Sequence, residues 1–135
     1  MDIYNPLLDK FVKSAITWKI ERVAYVSPFG ACFNSKTIHR MGEELHVSTI
    51  NLVLQNKIMY WRIYGHNSMV RAKKRVMCLA FMDGGSNLRT SIVIGRHQLE
   101  NNFLEFNLAS SELRFSSSLL AKNRSCFHLG GYYLN

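Results

Sequence analysis

Several features are missing from this sequence of 135 residues, and each absence excludes a class of protein. No stretch approaches the roughly 20 consecutive apolar residues that a membrane-spanning helix needs. The first six residues hold no basic segment followed by an apolar run, so no secretory signal peptide is visible. Hydrophobic residues make up 47% and charged residues 19%, which excludes an intrinsically disordered chain. Length and composition predict a single globular domain over residues 1–135.

Acidic residues are scarce, with 9 Asp and Glu against 17 Lys and Arg, which gives a formal charge of +8. This excess favours an acidic partner, either nucleic acid, anionic lipid or an acidic protein surface. The densest basic run is RAKKR at residues 71–75. We interpret this run as a solvated turn between two strands rather than a phosphate-binding site. The aromatic residues upstream, Tyr60, Trp61 and Tyr64, follow the pattern of a strand and not of a stacking platform, so the signal for nucleic acid is weak.

The sequence also lacks recognisable metal-binding spacing. The three cysteines, Cys32, Cys78 and Cys126, form no Cys-x-x-Cys pair, and the five histidines form no H-x-H or H-E-x-x-H motif. We therefore predict no metal and no cofactor. An odd number of cysteines permits one bridge and one remaining thiol, and this reasoning leaves the redox compartment open.

Groups that could carry catalysis are equally few. Asp2 and Asp9 lie in the N-terminal segment, and Asp83 lies in the turn Asp-Gly-Gly-Ser. Aspartic peptidases need two carboxylates that share a proton and activate one water, each held in its own loop. Only one turn of this kind is present, so we expect Asp83 to support a turn with its side chain and the chain not to be an enzyme. Glu43 and Glu44 are adjacent and point apart, which argues against a glycosidase-like acid pair.

The first twenty residues have the apolar spacing of a helix. Leu7, Phe11 and Ala15 recur every four residues and predict one broad apolar face over residues 1–20. We expect Asp2 to cap the start of this helix and Pro6 to be tolerated in the first turn, where a missing amide donor costs little.

From residue 22 to residue 120 the apolar pattern changes to a period of two, which predicts a β-rich core followed by a tail over residues 121–135. The strands predicted with one apolar face lie at residues 50–54, 59–64 and 103–108, and residues 112–116 are predicted to pair with the last of them. Residues 76–82 and, more briefly, 91–94 are continuously apolar, as in strands buried on both faces. The turn at residues 109–111 predicts a hairpin, and we expect a short helix near residues 97–101.

Four segments of the sequence resemble one known family. They are RVAYVSPFGACF (22–33), IYGHNSMV (63–70), CLAFMDGG (78–85), and RTSIVIG (89–95) followed by QLENNFLEFNLASSELRFSSSLL (98–120). This series is similar to the C-terminal lobe of the plant pepsin-like xylanase inhibitors, a family that includes xyloglucanase-inhibitor-like proteins and the basic globulins of legume seeds. The resemblance implies a partial pepsin-like (acid protease) lobe, mostly β with one N-terminal helix. It also implies extracellular secretion and binding of microbial glycoside hydrolases in place of peptide cleavage.

The resemblance also implies roles for individual cysteines and for the start of the chain. Cys32 and Cys78 match the disulfide within the lobe of that family. Cys126 matches its C-terminal cysteine, whose partner would lie upstream, so we predict an unpaired thiol. Because both catalytic aspartate loops of the family would precede Met1, we expect a truncated homologue without peptidase activity.

The sequence departs from the family at several positions. Arg96 and Arg114 stand where glycines are usual, which is costly if either position needs glycine's backbone freedom. Asn101 and Asn107 replace usual aspartates. A histidine with which the wheat-type inhibitors enter the xylanase cleft is absent.

Two cations near the C-terminus are the candidates for partner binding. We predict that Lys122 and Arg124 meet the acidic cleft of a hydrolase instead of the missing histidine. Asn123 begins the glycosylation sequon Asn-Arg-Ser, which matters only in the secretory pathway.

The sequence leaves three candidate functions, in this order: a hydrolase-binding lobe without catalysis, an aspartic endopeptidase lobe and a basic nucleic-acid-binding module. We expect no membrane interaction. For a truncated lobe we also expect core-facing apolar residues to be uncovered around Ile92, Val93, Phe103 and Phe106, which makes the isolated chain prone to aggregation.

Overall fold

The computed structural model describes residues 3–124, in which short strands outnumber helices. The helices are α1 (Tyr4–Thr17), α2 (Gly65–Ser68) and α3 (Arg96–Leu99), with 3-10 turns at Ser35–Thr37 and Leu119–Lys122. The strands are β1 (Arg22–Val23), β2 (Cys32–Asn34), β3 (Arg40–Met41), β4 (Glu44–Leu45), β5 (Ile50–Val53), β6 (Tyr60–Ile63), β7 (Met69–Lys73), β8 (Val76–Leu79), β9 (Leu104–Asn107) and β10 (Glu112–Phe115). The mostly β fold with one N-terminal helix is confirmed, and the short helix expected near residues 97–101 is α3.

Helix α1 covers most of the helical segment predicted from the apolar spacing. Its inward face buries Phe11 and Ala15, as the four-residue repeat indicates. The helix ends at Thr17, and Lys19 adopts a left-handed backbone with a φ of 59°. The cap position is Ile3, whose side chain makes no capping hydrogen bond, and the predicted cap Asp2 lies outside the described residues.

The central sheet has four antiparallel strands in the order β1-β2-β8-β7. All four residues of β8 are buried, which agrees with the continuously apolar run. The strand is shorter than predicted, because it ends at Leu79 and not at Met82, whose side chain is exposed. Beyond Leu79 the backbone hydrogen-bonds to a residue outside the sheet: the amide of Ala80 donates to the carbonyl of Ser68, the last residue of α2, at 2.7 Å.

Apolar residues pack in two clusters of unequal size. In the larger cluster α1 lies against the sheet, with the rings of Phe11 and Phe33 at a centroid distance of 6.0 Å. The smaller cluster surrounds Cys32, Val76 and Cys78. The sheet therefore has apolar packing around its two central strands, β2 and β8.

Three two-stranded ribbons complete the fold: β3 with β4, β5 with β6, and β9 with β10. In the β5–β6 ribbon the pairs Ile50–Ile63 and Leu52–Trp61 lie directly opposite each other, so the predicted apolar face is confirmed. The hairpin predicted at residues 103–116 is also confirmed as β9–β10. Its turn is supported by Asn107, whose Oδ1 accepts from the amides of residues 109 and 110 at 3.1 and 3.2 Å.

One strand prediction needs correction, and a second strand is uncovered as expected. Residues 91–94 form no strand, since no strand of the described residues pairs with them. An extended backbone without a neighbouring strand has no partner strand for its N–H and C=O groups. The strand predicted at residues 103–108 is present as β9, and its apolar side chains are uncovered as expected, since Phe106 is 67% exposed and Leu108 is 89% exposed.

Neither Arg96 nor Arg114 occupies a position that needs glycine's backbone freedom, so the conditional cost of arginine there does not arise. Arg96 is the first residue of α3 and Arg114 lies within β10, and neither has a positive φ. Arginine is therefore unstrained at both positions. Asn101 does take a left-handed backbone, with a φ of 57°, and asparagine tolerates that conformation better than most residues.

In the described part of the chain, no helix combines the length and the hydropathy needed to cross a bilayer.

Candidate functional site

The described aspartates do not form a peptidase site. Asp9 is exposed on α1, and Asp83 is exposed in the turn after β8. One carboxylate oxygen of Asp83 accepts from the amide of Gly85 at 2.9 Å, and Gly85 has a φ of 72° that favours glycine. Asp83 thus supports a turn, as its sequence context predicts. Among residues 3–124 the two aspartates share no hydrogen bond and lie on separate elements.

Histidine and cysteine side chains form no metal centre among the described residues. His97 Nε2 lies 2.9 Å from the carbonyl of Met69, and its Nδ1 lies 4.0 Å from Glu100. The ring of His46 stacks on the indole of Trp18 at a centroid distance of 4.7 Å. These contacts tie α3 and the β4–β5 connection to their neighbours, so both histidines have structural roles.

A disulfide joins Cys32 and Cys78, which lie directly opposite each other on β2 and β8. Both residues are fully buried, and the amide of Val26 donates to the sulfur of Cys32 at 3.3 Å. The bond closes a loop between residues 46 positions apart and cross-links the two central strands. Cys126, predicted to carry an unpaired thiol, lies outside the described residues.

The predicted partner-binding cations lie at the end of the described chain. Lys122 closes the 3-10 turn Leu119–Lys122, and the amide of Arg124 donates to the carbonyl of Leu119 at 3.0 Å. Between them Asn123 has a left-handed backbone with a φ of 53°. All three side chains are exposed, and neither cation forms an ion pair with a described residue. Within the described part of the chain, the turn therefore presents two positive charges without an acidic partner, on either side of the sequon residue Asn123.

A groove between β6 and β10 was missed by the sequence reasoning. It has a volume of about 590 Å³ and is lined by Ile58, Met59, Tyr60, Arg62, Leu113, Arg114, Phe115 and Ser117. The buried ring of Trp61 stacks on Phe115 at 5.2 Å and holds the two ribbons together. No motif marks this groove, because the two walls come from segments about fifty residues apart in the sequence.

Two arginines give the groove its polar character. The guanidinium of Arg62 donates to the hydroxyl of Tyr60 at 2.8 Å and lies 5.3 Å from the centre of that ring. Hydrogen bonding to Tyr64, together with the nearby Tyr60, raises the pKa of Arg62 above its ordinary value. Arg114 is instead balanced by Glu105 and Glu112, at 3.5 and 3.6 Å. The groove is therefore an apolar surface whose Arg62 has no acidic partner among residues 3–124.

A second polar cluster is entirely structural. The Asn67 side chain is 1% exposed, and its Nδ2 donates to the carbonyls of His97 and Glu100, each at 2.9 Å. Gln98 Nε2 donates to the carbonyl of Ala80 at 2.8 Å. Together these bonds attach α3 to α2 and to the end of β8. The arrangement uses its donors internally and offers no catalytic group.

Comparison with known proteins identifies the fold and the family. The family model described as xylanase inhibitor C-terminal matches residues 1–117. A probable aspartic proteinase GIP2 from Nicotiana benthamiana is 48% identical over 124 residues, which is 92% of this chain and 28% of that protein. In the crystal structure of EDGP the similarity has a TM-score of 0.86 with 48% identity, over 92% of this chain and 30% of that one. Basic 7S globulin from soybean gives a TM-score of 0.76 with 34% identity, over 91% and 32%.

These likenesses confirm the resemblance and the partial pepsin-like fold that it implies. The chain spans less than a third of the length of these relatives. The relatives include a probable aspartic proteinase and a basic 7S globulin, and the chain shares their aspartic-peptidase-like fold. The chain belongs to the xylanase inhibitor C-terminal family.

Proposed function

We propose that this chain is a non-catalytic binding module that docks onto microbial glycoside hydrolases of the xylanase or xyloglucanase class. The observation that carries the proposal is the match of residues 1–117 to the xylanase inhibitor C-terminal family. The exposed aspartates Asp9 and Asp83, which lie on separate elements, give the described residues no means of activating a water. Binding is thus the activity that the described surface supports.

Charge complementarity explains how such a partner would be recognised. Glycoside hydrolases use two carboxyl groups on either side of the scissile bond, which makes the substrate cleft acidic. Lys122 and Arg124 are exposed and unpaired among the described residues, on a turn fixed by backbone hydrogen bonds. Arginine can pair with a carboxylate through two parallel hydrogen bonds, and lysine contributes a point charge. The two cations therefore supply the docking contact of the proposed module.

The proposal is tested by measuring the binding of the chain to a microbial xylanase and to a xyloglucanase by calorimetry. The variant Lys122→Ala/Arg124→Ala is expected to bind about tenfold or more weakly, since charge pairs at an interface contribute on this scale. The control Lys10→Ala/Lys13→Ala removes the same charge from the exposed side of α1 and is expected to leave binding unchanged. Absence of binding to either class of hydrolase, or equal binding by both variants, would reject the proposal.

Aspartic peptidase activity is the second candidate, and it is favoured by the name of one relative, a probable aspartic proteinase. The test is cleavage of casein at acid pH, with and without pepstatin. We expect no cleavage by this chain, because its described aspartates are separated and one of them supports a turn. Cleavage that pepstatin abolishes would establish the peptidase instead.

We further propose that the chain is extracellular, like the family it resembles. The buried disulfide between Cys32 and Cys78 is a bond that persists in oxidising compartments. In such a compartment Asn123 is an accessible sequon, and a glycan there would stand between Lys122 and Arg124. Expression through a secretory host, followed by enzymatic deglycosylation, should give a mass shift that the Asn123→Gln variant lacks.

A further inference from the structure

One end of the central sheet carries five cations, which we name the basic tip: Arg71, Lys73, Lys74, Arg75 and Lys36. The first two belong to β7, and the next two form the turn into β8. Lys36 comes from the 3-10 turn Ser35–Thr37, which lies beside the hairpin because the amide of Ser35 donates to the carbonyl of Arg75 at 2.9 Å. The tertiary structure therefore adds a fifth cation to the run seen in the sequence.

The basic tip stands on a rigid support. Strand β8 begins directly after the turn and is buried from Val76 to Leu79, with the disulfide to Cys32 within it. The pairing of β7 with β8 shifts by one residue between Arg71 and Lys73, a bulge that increases local twist. Arg75 has a φ of 61°, which turns the chain sharply. All five basic side chains are nevertheless exposed.

The charges of the basic tip are not balanced within the described residues. None of its five side chains forms an ion pair there. The carboxylate of Glu21 lies beside the basic tip, but it accepts a hydrogen bond from Asn34 Nδ2 at 2.6 Å and forms no ion pair with a described cation. Residues two positions apart on a strand are separated by about 7 Å, which is within the screening length of roughly 8 Å at physiological salt. The cations therefore repel one another, and a polyanion would relieve that repulsion.

The surroundings of the basic tip favour one kind of polyanion. Residues 34–37 and 69–79 contain no aromatic side chain, so unstacked bases would find no platform. They also expose no large apolar side chain that could enter a membrane. Beside the cations, the side chains of Asn34 and Thr37 already form hydrogen bonds within the fold, whereas the Ser35 hydroxyl has no partner among the described residues. A cluster of exposed cations beside a hydroxyl suits a hydroxyl-rich polymer that carries carboxylates.

We propose that the basic tip binds an acidic polysaccharide, a polymer of uronic acid sugars. Carboxylates on successive sugars pair with Arg71 and Arg75 through their planar guanidinium groups, while the lysines contribute point charges. A sugar hydroxyl meets the Ser35 hydroxyl, which lies beside the turn because the Ser35 amide is bonded to Arg75. This site does not use Lys122 or Arg124, so it is a function in addition to the proposed hydrolase binding and does not depend on it.

The test measures binding of the chain to polygalacturonate by calorimetry at low and at physiological salt. The variant Arg71→Gln/Lys73→Gln/Lys74→Gln keeps Arg75 and the turn, and it is expected to bind at least about tenfold more weakly, with a smaller salt dependence. The matched control Lys10→Gln/Lys13→Gln/Lys57→Gln removes the same charge from exposed positions elsewhere and is expected to change affinity less than about twofold. Thermal unfolding of both variants is measured to check that they remain folded.

Three results would overturn the inference. The first is no binding of polygalacturonate by the unaltered chain. The second is equal weakening of binding in both variants, which would show that binding depends on the net charge of the protein and not on the basic tip. The third is tighter binding of single-stranded DNA or of phosphatidylserine vesicles at matched anion concentration, which would assign the basic tip to nucleic acid or to a membrane. Hydrolase binding by the tip variant is measured separately and is expected to be unchanged, so the two proposals fail independently.

Discussion

At the scale of single residues, Gly65 is the position where backbone approach leaves no room for a side chain. A Cβ added there would lie 2.5 Å from the carbonyl oxygen of Leu45 and 2.8 Å from Cγ2 of Val47. The first of these neighbours is backbone and cannot rotate away. Gly65 therefore sets how closely α2 packs against β4.

We expect Gly65→Ala to lower the free energy of unfolding by about 2 kcal/mol, as overpacking of a buried site does. Urea unfolding followed by circular dichroism measures the change. The matched control is Gly95→Ala, whose nearest neighbour would be the flexible Gln98 side chain at 3.4 Å. A control that costs as much as the test variant would refute the steric explanation.

The disulfide is the second feature at this scale. Its loop of 46 residues reduces the conformational entropy of the unfolded chain, and the chain-entropy relation gives about 4 kcal/mol for that length. The double variant Cys32→Ala/Cys78→Ala should lose stability on this order in urea unfolding. A loss below about 1 kcal/mol, or free thiols at both positions in the native protein, would contradict it.

At the scale of elements, short pieces are stable here only because other elements hold them. Helices α2 and α3 each have four residues, too few to persist alone in water. The side chain of Asn67 joins them by donating to two carbonyls of the α3 segment. A single buried amide thus substitutes for the hydrogen bonds that so short a helix cannot make within itself.

Asn67→Ala is expected to reduce the free energy of unfolding by about 1–2 kcal/mol, because it leaves two partly buried carbonyls without their donor. Hydrogen exchange of the amides around α3 should increase more than that of β8. The control Asn51→Ala alters an exposed asparagine on β5 and should cost less than about 0.5 kcal/mol. Unchanged exchange around α3 would show that Asn67 does not attach it.

At the scale of the whole molecule, the described chain exposes apolar side chains that the sequence analysis expected to be uncovered. Val93 is 70% exposed and Phe106 is 67% exposed, with Ile92 and Phe103 also at the surface. Exposed apolar patches favour association of one molecule with another. The net charge of +8 makes the molecules repel one another, which opposes the association that these apolar patches favour.

Val93→Lys/Phe106→Lys should therefore raise, several-fold, the concentration at which light scattering detects aggregates. Its unfolding free energy should stay within about 0.5 kcal/mol of the unaltered chain, because both side chains are exposed. Ser86→Lys/Thr90→Lys adds the same charge at exposed polar positions nearby. Equal improvement in both variants would attribute the effect to charge and not to the apolar surface.

The residues alone were enough to predict the class of fold and several local details. A four-residue apolar repeat predicted α1, period-two patterns predicted β5, β6 and the β9–β10 hairpin, and the Asp-Gly-Gly-Ser turn predicted the role of Asp83. These features depend on neighbours close in sequence, for which periodicity and turn chemistry are informative. The family could also be identified from the sequence, because related proteins keep similar residues in the same order along the chain.

Tertiary structure alone decided what each element meets. It left residues 91–94 without a partner strand among the described residues, and it placed Lys36 beside a hairpin almost forty residues away in the sequence. It also formed the groove between β6 and β10, whose walls share no motif. The physical reason is that burial and charge clustering depend on contacts between distant segments, and local pattern carries no record of which segments will meet.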